Sequence, residues 1–223
     1  ITQYDMYSIE DAGLLKFDFL GIRNLAILGD AVRLVKLHRG VDINIEKIPF
    51  DDRQTFMMLA RGETMGLFQL NGGGMTQYLK QLKPTTIHDI NAMVALYRPG
   101  PIQFIPLYIE RKHNNKLVKY LDPALEPILK QTYGVLVYQD DLLLIAINIA
   151  GYSWGEVDKF RKAVGKKIPE EMAKQKEIFI QGAVSHSKWP LKKAQELWAW
   201  IEPFAAYGFN KAHSASYGRV AYQ

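Results

Sequence analysis

The segment at residues 207–217 holds the densest mixture of side chains that can contact a nucleotide. Its sequence is Tyr207-Gly208-Phe209-Asn210-Lys211-Ala212-His213-Ser214-Ala215-Ser216-Tyr217. Aromatic rings stack on bases, and lysine and histidine bind phosphate oxygens by charge and hydrogen bonds. The segment therefore indicates a nucleotide-contacting loop. The alternative is a loop that leads into a final helix, with Ser214 as the N-cap and Tyr217 packed inside.

Asp18 is a carboxylate within the apolar stretch at residues 14–20, next to Lys16. Phosphoryl transfer needs carboxylates that hold divalent ions, so Asp18 is a candidate metal ligand. Taken alone, the two residues favour a structural ion pair between Asp18 and Lys16 on one face of a strand.

Most of the net positive charge of the chain lies between residues 158 and 176. This stretch has seven basic residues against three acidic ones, and it includes Arg161, Lys162, Lys166 and Lys167. Cations at a helix end and the following turn can converge on a triphosphate. A solvated basic helix face is the alternative.

The composition describes a globular protein with a weak preference for polyanions. The 223 residues are 48% hydrophobic and carry a net charge of +5, which suffices for a packed core and suits a nucleic-acid partner. The absence of cysteine excludes disulfides and thiolate zinc sites, and the five histidines lack metal-ligand spacing. No signal peptide or membrane-length apolar run is visible, so we expect a cytoplasmic, soluble protein. Both ends of the sequence look cut.

The coarse pattern predicts a short strand followed by helices. Residues 14–20 alternate in polarity between two glycines, as in a strand, and residues 65–70 fit a second one. Capping residues, glycines and prolines delimit the helices, which we predict at residues 22–38, 52–60, 74–83, 86–97, 102–113, 123–131, 139–149, 153–162, 170–185 and 190–204.

Six motifs occur in the order found in one enzyme family. Besides residues 207–214 they are Lys16-Phe17-Asp18-Phe19-Leu20-Gly21, Leu67-Phe68-Gln69-Leu70, Tyr97-Arg98-Pro99-Gly100-Pro101, Tyr133-Gly134-Val135-Leu136-Val137-Tyr138-Gln139, and Phe160-Arg161-Lys162-Ala163-Val164-Gly165-Lys166-Lys167. Over essentially its whole length the chain resembles the α subunit of bacterial replicative DNA polymerase III, DnaE type. The chain departs from the family pattern at Lys162, where arginine is frequent, at Ala212, and at Asp140-Asp141, where Gln-Glu-Gln is usual for residues 139–141.

The resemblance implies a mainly α fold: helical fingers with a short β-strand stub from the α/β, nucleotidyltransferase-like palm. Residues 1–21 would end the palm and residues 22–223 would form the fingers. Asp18 would be a catalytic metal ligand and Lys16 a neighbouring active-site lysine. The implied nucleotide-binding residues are Arg161, Lys162, Lys166, Lys167, Tyr207, Asn210, Lys211 and His213, with Asn210 and Lys211 open equally to a role in ordering the loop. Arg98 is expected to stiffen a turn rather than to bind a ligand.

The implied activity is template-directed addition of dNTPs to a primer 3′ end with two Mg²⁺ ions. The other catalytic aspartates would lie upstream, so we expect the chain alone to be inactive. The implied partners are primer-template DNA, a sliding clamp, a clamp loader and a proofreading subunit, the last three through regions outside this chain. The alternatives are a non-catalytic nucleic-acid or nucleotide-binding paralogue and a purely structural helical protein.

Overall fold

The computed structural model describes residues 2–166, 169–205 and 207–223. It divides into two compact units, Ile1–Lys47 and Ile48–Gln223. The mainly helical prediction is confirmed, since the described residues contain twelve α-helices. Within these residues, no helix is both long enough and apolar enough to cross a membrane.

The first unit contains α1 (Ser8–Asp11) and α2 (Arg23–Arg39). Gly40 ends α2 with a φ of 67°, and its N–H donates to the Lys36 carbonyl. This left-handed conformation is the usual helix C-cap, and glycine adopts it without strain. Neither α1 nor α2 has a buried residue, so packing between their side chains contributes little to this unit.

The predicted β-strand stub is wrong. Residues 14–20 have no regular secondary structure, and residues 65–70 form turns. An extended segment becomes a strand only when a neighbouring backbone pairs with its N–H and C=O groups. Across the described ranges the chain has one isolated β-bridge, between Tyr138 and Phe209, and it includes no residue of either segment.

The second unit is a helical body. Its helices are α3 (Arg53–Arg61), α4 (Gly73–Leu82), α5 (Ile87–Leu96), α6 (Ile105–His113), α7 (Glu126–Leu129), α8 (Gln139–Ala150), α9 (Trp154–Lys166), α10 (Pro169–Ser185), α11 (Leu191–Ala205) and α12 (Lys211–Tyr222). Short 3₁₀ turns precede α6 at Pro101–Phe104 and flank α7 at Pro123–Leu125 and Lys130–Thr132. The predicted helix at residues 123–131 is therefore broken into three short pieces.

Local capping sets several helix ends where the sequence predicts them. The Asp52 carboxylate accepts the backbone N–H groups of Gln54 and Thr55 at the start of α3, and Gly62 ends that helix in the left-handed conformation. Thr86 and Asp89 form a capping box at the start of α5. These contacts satisfy amide groups that have no partner within the helix.

Two hydrophobic clusters stabilise the second unit. One lies among α7 to α11 and contains the buried rings of Phe160, Phe179 and Trp198. The other joins α3 to α6 with α12. Helices α5 and α12 approach closely at Gly218, where an added Cβ would lie 1.9 Å from the Asn91 Oδ1 atom. The chain returns from the first cluster to the second at residues 204–211.

Candidate nucleotide-binding site

Arg98 holds the loop at residues 207–210 from one side. Its Nη2 donates to the Tyr207 carbonyl, its Nε donates to the Ala95 carbonyl at 2.9 Å, and its guanidinium lies 4.7 Å from the centre of the Phe209 ring. The Tyr207 ring lies against Gly100, where a Cβ would come within 2.4 Å of it. This geometry agrees with the structural role expected for Arg98.

A parallel β-bridge fixes the loop to the start of α8. The Phe209 N–H donates to the Val137 carbonyl at 3.3 Å, and the Gln139 N–H donates to the Phe209 carbonyl at 2.9 Å. The motifs at residues 133–139 and 207–214 are therefore joined by direct backbone pairing in the fold.

Lys211 is paired with two carboxylates at the start of α8. Its backbone N–H donates to Asp140 Oδ2 at 2.9 Å, and its ammonium donates to Asp141 Oδ1 at 3.2 Å. The same ammonium lies 5.2 Å from the centre of the Tyr138 ring. The Lys211 side chain is still 37% exposed, so it can also meet an external anion.

Asp141 was not among the site residues predicted from the sequence. Its side chain is 1% exposed, and its Oδ2 atom has no hydrogen-bond partner among the described residues. Burial raises the Asp141 pKa to about 6, although Lys211 opposes the rise. A buried carboxylate with a single cationic partner loses more from desolvation than the pairing returns. The sequence does show two acidic residues in the first turn of a predicted helix. It does not show their partner, because Lys211 is 70 residues away from Asp141.

Asn210 is the N-cap of α12, because its side-chain oxygen accepts the His213 backbone N–H at 2.7 Å. Ser214, the N-cap in the alternative interpretation of this segment, does not cap the helix. The Ser214 hydroxyl is buried and donates to the Asn91 carbonyl at 2.5 Å, which ties α12 to α5. Asn210 thus orders the loop in this structure.

The His213 ring lies in a row of aromatic side chains. Its centre is 5.5 Å from that of Phe209 and 4.1 Å from that of Tyr217, and Tyr217 lies 4.9 Å from Phe68. His213 is exposed and the three other rings are half-buried. Such a row offers aromatic faces for stacking, and the two imidazole nitrogens of His213 for hydrogen bonds, to a ligand at the surface.

The basic cluster on α9 is partly neutralised by Asp158. Arg161 Nη2 and Lys162 Nζ each lie 2.8 Å from an oxygen of the Asp158 carboxylate, and both basic side chains are exposed. Ion pairs this exposed are weak, so a phosphate can displace the carboxylate. Lys166 is the last residue of α9, and Lys167 lies outside the described residues.

Asp18 and Lys16 do not form the ion pair that the residues alone favoured. Lys16 Nζ instead donates to the Met6 carbonyl at 3.2 Å and lies 3.8 Å from Glu10 Oε1. Asp18 is exposed. No group of three or more Asp, Glu, His or Cys side chains in the described ranges could hold a metal ion. These residues by themselves therefore do not fit a two-magnesium centre.

Comparisons with known proteins give matches that cover most or all of this chain. The model of the bacterial DNA polymerase III alpha subunit finger domain matches residues 24–187. The chain belongs to this finger-domain family. DNA polymerase III subunit alpha of Thermus aquaticus is 48% identical over 228 aligned residues, which cover 100% of this chain and 19% of that protein. The corresponding proteins of Halalkalibacterium halodurans and Aquifex aeolicus are also 48% identical, over 100% and 99% of this chain. The chain spans about a fifth of the length of these relatives.

Within the second unit, the structure brings together four of the predicted site residues. Tyr207, Asn210, Lys211 and His213 lie on one loop and the first turn of α12. Arg161 and Lys162 lie on α9, and no described hydrogen bond or ion pair joins them to that loop. The predicted nucleotide-binding residues therefore lie on two different elements of this unit, α9 and the loop that leads into α12.

Proposed function

We propose that this chain forms the fingers, with the end of the palm at residues 1–21, of a polymerase that adds dNTPs to a primer 3′ end on a template during bacterial chromosome replication. The observation that carries the proposal is the match over the whole chain to proteins named DNA polymerase III subunit alpha. The exposed cations on α9 and the aromatic row beside Lys211 supply groups that such a role needs.

The α9 cations are proposed to bind the triphosphate. Arg161 and Lys162 project from the same exposed part of the helix, and their present partner is a single shared carboxylate. A triphosphate carries more negative charge than one carboxylate, so it competes well for both side chains. Lys166 and Lys167 are proposed to extend the same cationic surface.

The loop before α12 is proposed to contact the base, sugar or phosphate. Exposed His213 can donate a hydrogen bond, and the Tyr207 ring is kept in place by Gly100. Lys211 keeps Asp141 as a partner and can offer its remaining N–H donors to a phosphate oxygen. Asn210 contributes by holding the helix start rather than by direct contact.

Asp18 is proposed as one ligand of two Mg²⁺ ions, with Lys16 beside it. Bound Mg²⁺ would stabilise charge on the triphosphate and on the primer hydroxyl. The other ligands must come from further carboxylates, so we expect the chain alone to lack polymerase activity. Primer-template DNA is the proposed substrate partner, and a sliding clamp, clamp loader and proofreading subunit are proposed partners of a longer polypeptide in the cytoplasm.

Steady-state primer extension by a polymerase alpha subunit that contains this chain tests the proposal. Arg161→Ala is expected to raise the KM for dNTP at least tenfold, since a charge-assisted hydrogen bond contributes roughly 1.5–3 kcal/mol. Lys192→Ala, which removes an exposed cation from α11, is the matched control and should leave KM unchanged. Equal KM values for both variants and the parent would contradict the assignment.

A further inference from the structure

A cavity lies between α6 and α11, and its described lining contains none of the predicted nucleotide-binding residues. It has a volume of about 320 Å³. Its lining is mostly apolar and includes Phe104, Leu107, Leu136, Trp200, Pro203 and Phe204. Cavities of this size, with apolar walls and few polar groups, are typical small-molecule sites.

The polar group in this lining is the guanidinium of Arg111. Its Nη1 donates to the carbonyls of Tyr133 at 3.3 Å and Gly134 at 3.0 Å. These bonds fix the guanidinium plane in the cavity wall. Its Nε and Nη2 groups have no hydrogen-bond or ion-pair partner among the residues that the structure describes.

Arg111 therefore carries a positive charge in an apolar wall without a neighbouring carboxylate bonded to it. Burial lowers its pKa, and Glu110 opposes this at longer range. A guanidinium with a free edge binds a planar carboxylate through two parallel hydrogen bonds. The charge of the cavity thus favours an anion, and its walls favour an apolar body.

The walls also favour a flat ring. Phe104 from the 3₁₀ turn before α6, together with Trp200 and Phe204 from α11, provides aromatic surface in the lining. Trp200 is 37% exposed and Leu107 is 38% exposed, so a bound ring would cover apolar surface that water now contacts. This burial stabilises the complex in proportion to the apolar area removed from water.

We propose that this cavity binds a small aromatic carboxylate, with its ring against Trp200 and its carboxylate on Arg111. The site is distinct from the proposed nucleotide site, because the two share no described lining residue. Phe204 links the two regions, since its carbonyl accepts the N–H groups of Tyr207 and Gly208. A ligand that contacts Phe204 therefore lies next to the loop before α12.

Methyl NMR titration of the 223-residue chain tests this proposal. The probes are 2-naphthoate and its neutral analogue 2-naphthamide. The methyl groups of Leu107, Val135 and Leu136 report on the cavity, and those of Leu59 and Leu79, in the other part of the core, serve as internal controls.

Two variants and two controls separate the contributions. Arg111→Met removes the charge, and Ala199→Phe on the exposed face of α11 fills the cavity without removing an internal hydrogen bond. Lys116→Met and Ala173→Phe are matched substitutions at exposed positions outside the lining. If Arg111→Met fails to fold, Ala199→Phe alone still tests occupancy of the cavity.

We expect saturable shifts of the cavity methyl groups with 2-naphthoate and weaker binding of 2-naphthamide. Arg111→Met should weaken 2-naphthoate at least tenfold and 2-naphthamide less than twofold, and Ala199→Phe should abolish both. The controls should bind like the parent chain. Absence of cavity shifts, or shifts that Ala199→Phe leaves unchanged, would overturn the proposal, as would equal affinity for the acid and the amide.

Discussion

Replacing Asp141 by asparagine should stabilise the second unit at neutral pH and leave its stability at acid pH almost unchanged. The Asp141 carboxylate is buried, one of its oxygens has no partner among the described residues, and its cationic partner Lys211 is partly exposed. Asparagine has nearly the same shape and removes the buried charge. Lys211 can turn to water, so its loss of a partner costs little.

The magnitude follows from the pKa of Asp141. Burial raises this pKa from 3.8 to about 6. Each unit corresponds to about 1.4 kcal/mol of difference between the two protonation states. Ionised Asp141 therefore lowers the free energy of unfolding by about 3 kcal/mol, relative to a carboxylate with an unchanged pKa.

The direction of the pKa shift determines the pH range over which the stability changes. Because the folded chain holds this proton more tightly than the unfolded chain, the stabilising contribution is complete below pH 3.8 and is lost as the pH rises through about 6. Asparagine has no such dependence. The difference in unfolding free energy between Asp141→Asn and the parent should therefore grow by roughly 2–2.5 kcal/mol between pH 4 and pH 7.5, because the unfolded carboxyl is already partly ionised at pH 4.

Urea unfolding followed by tryptophan fluorescence measures this difference. All four tryptophans, at positions 154, 189, 198 and 200, belong to the second unit. Glu196→Gln on the exposed face of α11 removes one negative charge far from Lys211 in sequence and controls for net charge. A difference for Asp141→Asn that stays constant with pH, or that shrinks as the pH rises, would refute the reasoning.

Two further predictions concern helix packing and capping, and both are checked by the same unfolding measurement. Gly218→Ala should destabilise the second unit by roughly 1–3 kcal/mol, because the new methyl group overlaps Asn91. Gly155→Ala in α9 is the control: its methyl group meets no atom within 4 Å, so it should stabilise the unit by up to about 1 kcal/mol. Equal effects of the two substitutions on the free energy of unfolding would contradict the packing argument. Thr86→Ala should lower the free energy of unfolding by about 1 kcal/mol, because it removes the N-cap of α5. Thr86→Ser keeps a capping hydroxyl and should retain most of that stability. A Ser variant as unstable as the Ala variant would argue against the cap.

Helix positions were predictable because their signals are local. Asp52 and Gly62 bracket α3 as their side-chain and backbone preferences dictate, and Thr86 opens α5. The lack of a strand at residues 14–20 could not be predicted in the same way. The alternation of this segment is a local signal, but a strand also needs a partner backbone, and the described residues supply none to this segment.

The sequence selects candidate site residues but does not give their geometry. The motif at residues 207–214 was recognisable by its residues, yet its attachment to Arg98 and Asp141 depends on contacts across 109 and 70 residues. Such long-range contacts arise from the packing of α12 against α5 and α8, which no local pattern encodes. The same applies to Asn210, because Ser214 was an equally good cap by type until the helix start was fixed.

The most direct test of a triphosphate site in the fingers is calorimetric titration of this chain with a dNTP and Mg²⁺. The account predicts binding by the parent chain that weakens at least tenfold in Arg161→Ala and in Lys162→Ala, while Lys192→Ala binds like the parent. Equal affinity of the parent and both α9 variants, with all of them folded, would contradict the assignment of the triphosphate to Arg161 and Lys162.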